Sequence, residues 1–111
     1  MKVYGIKNCD SVKKALKYLH VNEIDYDFVD FKEQKPTLQL IQKWADAVGI
    51  KKLFNTRSTT YRNLGLKQMN LSDEQKIEWM AKEPLLIKRP VVEKEEVVLV
   101  GYSEEEYKRN L

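Results

Sequence analysis

The 111-residue sequence predicts an α/β fold: a mixed four-stranded sheet flanked by helices, in the chain order βαβ, helical stretch, ββα. Three observations carry the prediction. A β-prone run, an amphipathic helical pattern and a second β-prone run fit within the first 31 residues. The middle of the chain, about 37–83, shows helical periodicity and two helix-start signals. The last third holds two β-branched runs around a charged turn and then a capped helix.

The elements follow in order. Lys2 to Tyr4 forms a short strand that ends at Gly5. After a polar turn, a helix opens at about Ser11. Val12, Ala15, Leu16 and Leu19 stand at i, i+3, i+4 and i+7 and so share one face. Asp10 and Ser11 are both residue types whose side-chain oxygen caps a helix N-terminus. Asn22 and Glu23 mark a turn. Tyr26 to Phe31 alternates apolar and polar residues, the period of a half-buried strand. A strand–helix–strand unit this compact makes its two strands parallel.

Lys32 to Pro36 is a connection, and Thr37 caps the next helix. Leu38, Ile41, Ala45 and Val48 give that helix its apolar stripe, with Trp44 at its edge and Gly49 as its stop. Ile50 to Phe54 reads as a short apolar connection. Asn55 to Gly65 reads as a loop entering a short helix that stops at the glycine. Ser72-Asp73-Glu74-Gln75 has capping-box spacing. Its helix turns Ile77, Met80 and Ala81 inward and ends before Pro84. Val91–Glu93 and Val97–Val100 form a hairpin around the turn Glu93 to Glu96. Ser103 opens a last helix with glutamates at its start and Lys108 and Arg109 at its end, which suits the helix dipole.

Composition narrows the class. The apolar fraction of 42% supports one modest core, and the chain reads as one domain over 1–111 with a helical insertion at about 37–83. Twenty basic against seventeen acidic residues leave +3, too little to call for nucleic acid or a membrane surface. No apolar run approaches the ~18 residues of a membrane span. One cysteine makes no internal disulfide, and a reducing cytoplasm is the expected compartment. One histidine and one cysteine do not assemble a conventional zinc site, so no metal is expected.

That cysteine is Cys9, in the turn that delivers the first strand into the first helix. Unpaired backbone N–H groups and the positive end of the helix dipole lie beside such a position, and they stabilise a thiolate more than a thiol. A lone cysteine inside an element is more often a small core residue. This placement therefore favours a nucleophile. Lys7, Lys13 and Lys14 flank it as a solvated face.

The element order, with a cysteine at the first strand-to-helix turn and a proline directly before the third strand, resembles the thioredoxin and glutaredoxin fold. Four motifs in register narrow the likeness: Tyr4-Gly5-Ile6-Lys7-Asn8-Cys9, Asn55-Thr56-Arg57, Leu86-Ile87-Lys88-Arg89-Pro90 and Val100-Gly101-Tyr102. Together they resemble the arsenate reductase (ArsC) and Spx family across essentially the whole chain. The resemblance implies Cys9 as the catalytic or redox cysteine, with Arg57 and Arg89 as its arginines. It also implies a cis Arg89-Pro90 bond, with Arg89 brought back toward Cys9. Asn8, Asp10 and Ser11 complete the anion-binding loop, with the Asp10 carboxylate set against the thiolate.

Two departures matter. Glutathione-linked arsenate reductases carry a third arginine directly after the glycine of the last strand, where this chain has Tyr102. That speaks against arsenate as substrate and leaves Tyr102 a packing residue. Spx regulators carry a second cysteine three positions after the first, where this chain has Val12, so no CxxC switch exists. The chain thus resembles the single-cysteine ArsC-like type.

The implied activity is a thiol-dependent reduction of an oxyanion or a disulfide. Arginine forks and a helix N-terminus hold the anionic substrate or a carboxylate of glutathione. No cofactor is expected to be bound. Glutathione or another low-molecular-weight thiol serves as co-substrate, and glutaredoxin or thioredoxin as reductant. The alternative is an Spx-like transcriptional regulator that docks on RNA polymerase.

Overall fold

A computed structural model describes residues 1–111. The chain divides into two compact units, Met1–Gln34 with Arg89–Leu111, and Lys35–Lys88.

The first unit contains the whole sheet. Its elements are β1 (Lys2–Gly5), α1 (Asp10–Val21), β2 (Asp27–Asp30), β3 (Val91–Lys94), β4 (Val97–Val100) and α6 (Glu104–Asn110); α2 to α5 belong to the second unit. Strand order is β2-β1-β3-β4. β1 runs parallel to β2 with Val3 opposite Phe28, and antiparallel to β3 with Val3 opposite Val92. β3 and β4 form the expected hairpin. This is the mixed sheet that the thioredoxin-like order predicts.

Side-chain alternation then builds the core. Val3, Val92 and Leu99 face one side of the sheet and cluster with Ala15 and Leu19 of α1 and Tyr107 of α6. All are buried, and area removal of this kind is the main favourable contribution to folding. On the other side, Tyr4 stacks on Phe31 at 6.3 Å between ring centroids and donates its hydroxyl to Glu93 Oε1 at 2.8 Å.

Three local expectations shift. β2 is shorter than the alternating run Tyr26–Phe31, because its only partner, β1, offers four residues. The hairpin turn tightens to Glu95-Glu96, since Lys94 pairs with Val97. Glu95 takes the left-handed φ of 54° that two-residue hairpin loops require. Helix α1 begins one residue early, at Asp10.

The second unit is helical: α2 (Leu38–Val48), α3 (Ile50–Leu53), α4 (Thr59–Asn63), α5 (Asp73–Lys82) and 3₁₀ turns at Leu66–Met69 and Pro84–Leu86. The caps follow from the sequence. Thr37 accepts from Leu40 N–H at 3.1 Å, and Ser72 and Gln75 make the full reciprocal box. α2 packs against α3 and α5. Its buried stripe is Ile41, Trp44 and Ala45, so Trp44 is central rather than marginal, and Leu38 is 48% exposed. The reason is position: Leu38 lies in the first turn, while 41, 44, 45 and 48 complete the face. Ile50–Leu53 makes a helical turn rather than an open connection. Phe54 then bridges Ile87, and Leu53 C=O accepts from Lys88 N–H at 2.8 Å.

Candidate functional site around Cys9

Gly5 is where the site starts. β1 must pass close beneath the first turn of α1, and a Cβ at Gly5 would stand 2.8 Å from Val12 Cγ2 and 3.9 Å from Arg89 Cβ. Only a residue without a side chain lets these three segments converge. Gly5→Ala is expected to destabilise the fold by about 1–3 kcal/mol through overpacking. Equilibrium urea unfolding checks this. Val12→Ala in the same background should recover part of the loss, and purely additive effects would rule out this contact as the cause.

Cys9 is the N-cap of α1, in extended backbone at φ −146° and ψ 125°. This corrects the expectation that Asp10 or Ser11 caps the helix: both fall inside its first turn. The sulfur occupies the place from which a capping oxygen receives the N2 and N3 amides. It closes no full capping bond, but the N–H groups of Val12 and Ser11 act on it.

The thiol is half-buried. Burial is the largest influence and resists ionisation. It is outweighed in sum by the Val12 N–H, by a hydrogen bond from Arg89 and that guanidinium's charge, and by the Ser11 N–H. The net effect holds the Cys9 pKa below its ordinary value. Asp10 is not among the groups that shift it, contrary to the opposition read from its charge.

Arg89 reaches this position from the far end of the chain. It immediately precedes Pro90 across a cis peptide bond and leads into β3, the neighbour of β1. Arg89 is half-buried, whereas Asn8, Asp10, Lys7, Lys13 and Lys14 are exposed and Ser11 is half-buried. Arg57 lies in the second unit, exposed, in a turn where its N–H bonds to Asn55 Oδ1 at 3.1 Å. The structure therefore brings Cys9, Ser11 and Arg89 together within the first unit.

The role of the Val12 N–H was the part hidden from residue-type reasoning. Val12 carries no chemistry in its side chain, and only the N-cap register identifies its amide. Tyr102 follows Gly101, which turns the chain out of β4 at φ 80°. It packs in an aromatic trio, 5.1 Å from Tyr107 and 6.5 Å from Tyr18 between ring centroids.

A sheet in the order β2-β1-β3-β4, a cysteine at the N-cap position of the first helix and an arginine–cis-proline step entering β3 define a thioredoxin-like protein of the ArsC type. The ArsC family profile matches residues 4–110, and the chain belongs to that family. An uncharacterized protein of Haemophilus influenzae is 40% identical over 106 residues, covering 95% of this chain and 93% of its own length. The global transcriptional regulator Spx 2 of Bacillus anthracis is 27% identical, covering 98% of this chain and 85% of its own. Among solved structures, the YFFB (PA3664) protein superposes with a TM-score of 0.92 at 34% identity, covering 97% of this chain and 96% of its own. An arsenate reductase (ArsC) related protein from Brucella melitensis gives 0.76 at 32% identity, covering 98% and 92%.

Proposed function

We propose that this chain is a thiol-dependent oxidoreductase whose nucleophile is Cys9. The observation that carries the reading is a thiol at a helix N-cap, hydrogen-bonded by Arg89 and held below its ordinary pKa. The thiolate attacks one sulfur of a disulfide that contains glutathione. Cys9 forms a mixed disulfide with the glutathionyl sulfur, and the other sulfur leaves as a thiolate. With no second cysteine in the chain, an external thiolate attacks next. A second glutathione then forms the new disulfide, and Cys9 leaves as the thiolate.

Arg89 stabilises the thiolate before attack and again as it leaves, and its guanidinium fork suits a carboxylate of glutathione. Ser11 and the first amides of α1 add donors, and the exposed Asn8 and Asp10 border the entrance. Arg57 is assigned the second guanidinium from its place in the Asn55-Thr56-Arg57 motif alone. An oxyanion such as arsenate is the other substrate of this chemistry. Tyr102, where the resemblance places an arginine, favours the disulfide.

Incubation with oxidised glutathione, followed by intact-mass measurement, tests the first step. One glutathione adduct is expected on the wild type and none on Cys9→Ser. Turnover of a glutathionylated substrate by the wild type should exceed that of glutathione alone and vanish in Cys9→Ser. Turnover that survives in Cys9→Ser would remove the reading. Arsenate with glutathione and glutaredoxin serves as the comparison substrate.

A second reading is supported by the end-to-end likeness to Spx 2 of Bacillus anthracis. In that reading the chain is a regulator that docks on RNA polymerase without a redox switch. Retention of RNA polymerase by both the wild type and Cys9→Ser would favour it, and no retention by either would exclude it.

A further inference from the structure

Within the second unit, two cavities of about 250 and 340 Å³ share Thr56, Tyr61 and Lys67 as common walls. Every ionisable group of fixed charge that lines them is cationic: Lys67 and Lys76 in the first, Arg62 and Lys67 in the second. No carboxylate lines either one. In a chain with 17 acidic and 20 basic residues, this segregation is not the default outcome. The larger groove between α2 and α5 shows the contrast, mixing Lys43 with Asp46, Glu74 and Glu78.

The three cations come from three elements: Arg62 from α4, Lys67 from the 3₁₀ turn and Lys76 from α5. None of the three forms an ion pair with a carboxylate. Lys67 belongs to both cavities, and like charges gathered at adjoining hollows are unfavourable unless an anion offsets them. Donors arriving from several directions suit an anion with several acceptor oxygens and more than one charge. The neutral polar residues of the lining are Thr56, Tyr61 and Asn70.

The walls are also aromatic. Phe54 and Tyr61 meet edge to face, 5.7 Å between centroids at 82°. Lys76 Nζ lies 5.8 Å from the Phe54 ring centroid, which fixes that ammonium at the cavity. Phe54 is 4% exposed, while Tyr61 is half-buried and lines the hollow. We propose that this double cavity binds a phosphate monoester of an aromatic compound, with the phosphate on Lys67, Lys76 and Arg62 and the ring against Tyr61. The site is independent of the Cys9 chemistry, and its failure leaves that reading untouched.

The probe is phenyl phosphate, titrated into the ¹⁵N-labelled protein at constant ionic strength, with inorganic phosphate and phenol as the two halves. Phenyl phosphate is expected to give saturable amide shifts confined to Thr56, Tyr61, Lys67, Asn70 and Lys76 and their chain neighbours. The expected Kd is about 1 mM or tighter. Each half should bind at least about tenfold more weakly, and Lys67→Gln should weaken phenyl phosphate about tenfold. Lys76→Gln, which removes the second ammonium, should likewise weaken phenyl phosphate about tenfold.

Shifts that do not saturate, or that spread over lysines elsewhere, would overturn the site. So would binding unchanged in Lys67→Gln. Inorganic phosphate binding as tightly as phenyl phosphate would overturn the aromatic assignment. Thermal melting of each variant separates lost binding from lost folding.

Discussion

Iodoacetamide is expected to alkylate Cys9 with a pH midpoint below that of free cysteine, and Arg89→Ala is expected to raise that midpoint. The reasoning is local. Burial alone would push the thiol upward, and the lowering comes from donors that prefer the anion. Arg89 supplies both a hydrogen bond and a charge, whereas Val12 and Ser11 supply backbone amides that survive any side-chain change. Removing the guanidinium should therefore raise the midpoint without abolishing reactivity. At alkaline pH, where both proteins are fully thiolate, Arg89→Ala should react at least as fast as the wild type, because the thiolate of higher pKa is the stronger nucleophile. Arg89→Lys keeps the charge but loses the planar fork, and should fall between the two. A wild-type midpoint equal to that of free cysteine and unmoved in Arg89→Ala would end the nucleophile proposal.

The same shift carries a stability signature of known sign. A thiol with a lower pKa folded than unfolded binds fewer protons in the native state. Its contribution is present above the unfolded pKa and is lost as pH falls through the folded one. The stability gap between wild type and Cys9→Ala should therefore widen in the wild type's favour with rising pH across the window between those two values. The opposite slope would contradict the lowered pKa.

Tyr107→Ala should give the largest loss of stability in the first unit, about 3–5 kcal/mol by analogy with other buried aromatic truncations. That is a large share of the roughly 5–15 kcal/mol that holds a small domain together. α6 spans seven residues, too few to persist without tertiary packing. Tyr107 is its buried residue, fully removed from solvent and set edge to face against Tyr18 at 5.5 Å and Tyr102 at 5.1 Å. Its hydroxyl donates to the buried Gly101 carbonyl at 3.1 Å. Tyr107→Phe isolates that bond and is expected to cost about 1–3 kcal/mol, because it leaves a buried acceptor unpaired.

Burial, the largest influence, together with the charges of Tyr102 and Glu106, raises the Tyr107 pKa, so the donor keeps its proton. The associated stability is present below the ordinary tyrosine range and is lost as pH rises through the folded value. Urea unfolding of the two variants decides the matter. A Phe variant as unstable as the Ala variant would place the energy in the hydrogen bond rather than in the packing.

Legibility varied with the range of the interaction. Helix starts at Thr37, Ser72 and Ser103 were readable because a cap is a matter of three or four consecutive residues. The face of α1 was readable for the same reason, with Val12, Ala15 and Leu19 all buried. Trp44 was misplaced because periodicity gives a stripe's spacing and only packing partners set its centre. The 3₁₀ turns at Leu66–Met69 and Pro84–Leu86 were missed because they lack a periodic signature at that length. At Cys9 the sequence placed the sulfur beside a helix start but set the boundary one residue late. That one residue separates a thiol near the cap from one at the N-cap position itself.

By itself, the sequence determined the order and type of the strands and the capped helices, the presence of one thiol at a strand-to-helix turn, and the impossibility of an internal disulfide. These depend on residues within a few positions of one another, or on simple counting. Only the tertiary structure decided that Arg89, 80 positions along the chain, hydrogen-bonds that thiol. It also decided that lysines from a 3₁₀ turn and a helix line one hollow. The physical reason is common to both. Fields and hydrogen bonds act over a few ångströms of space, and strand pairing and helix packing determine which distant residues come that close.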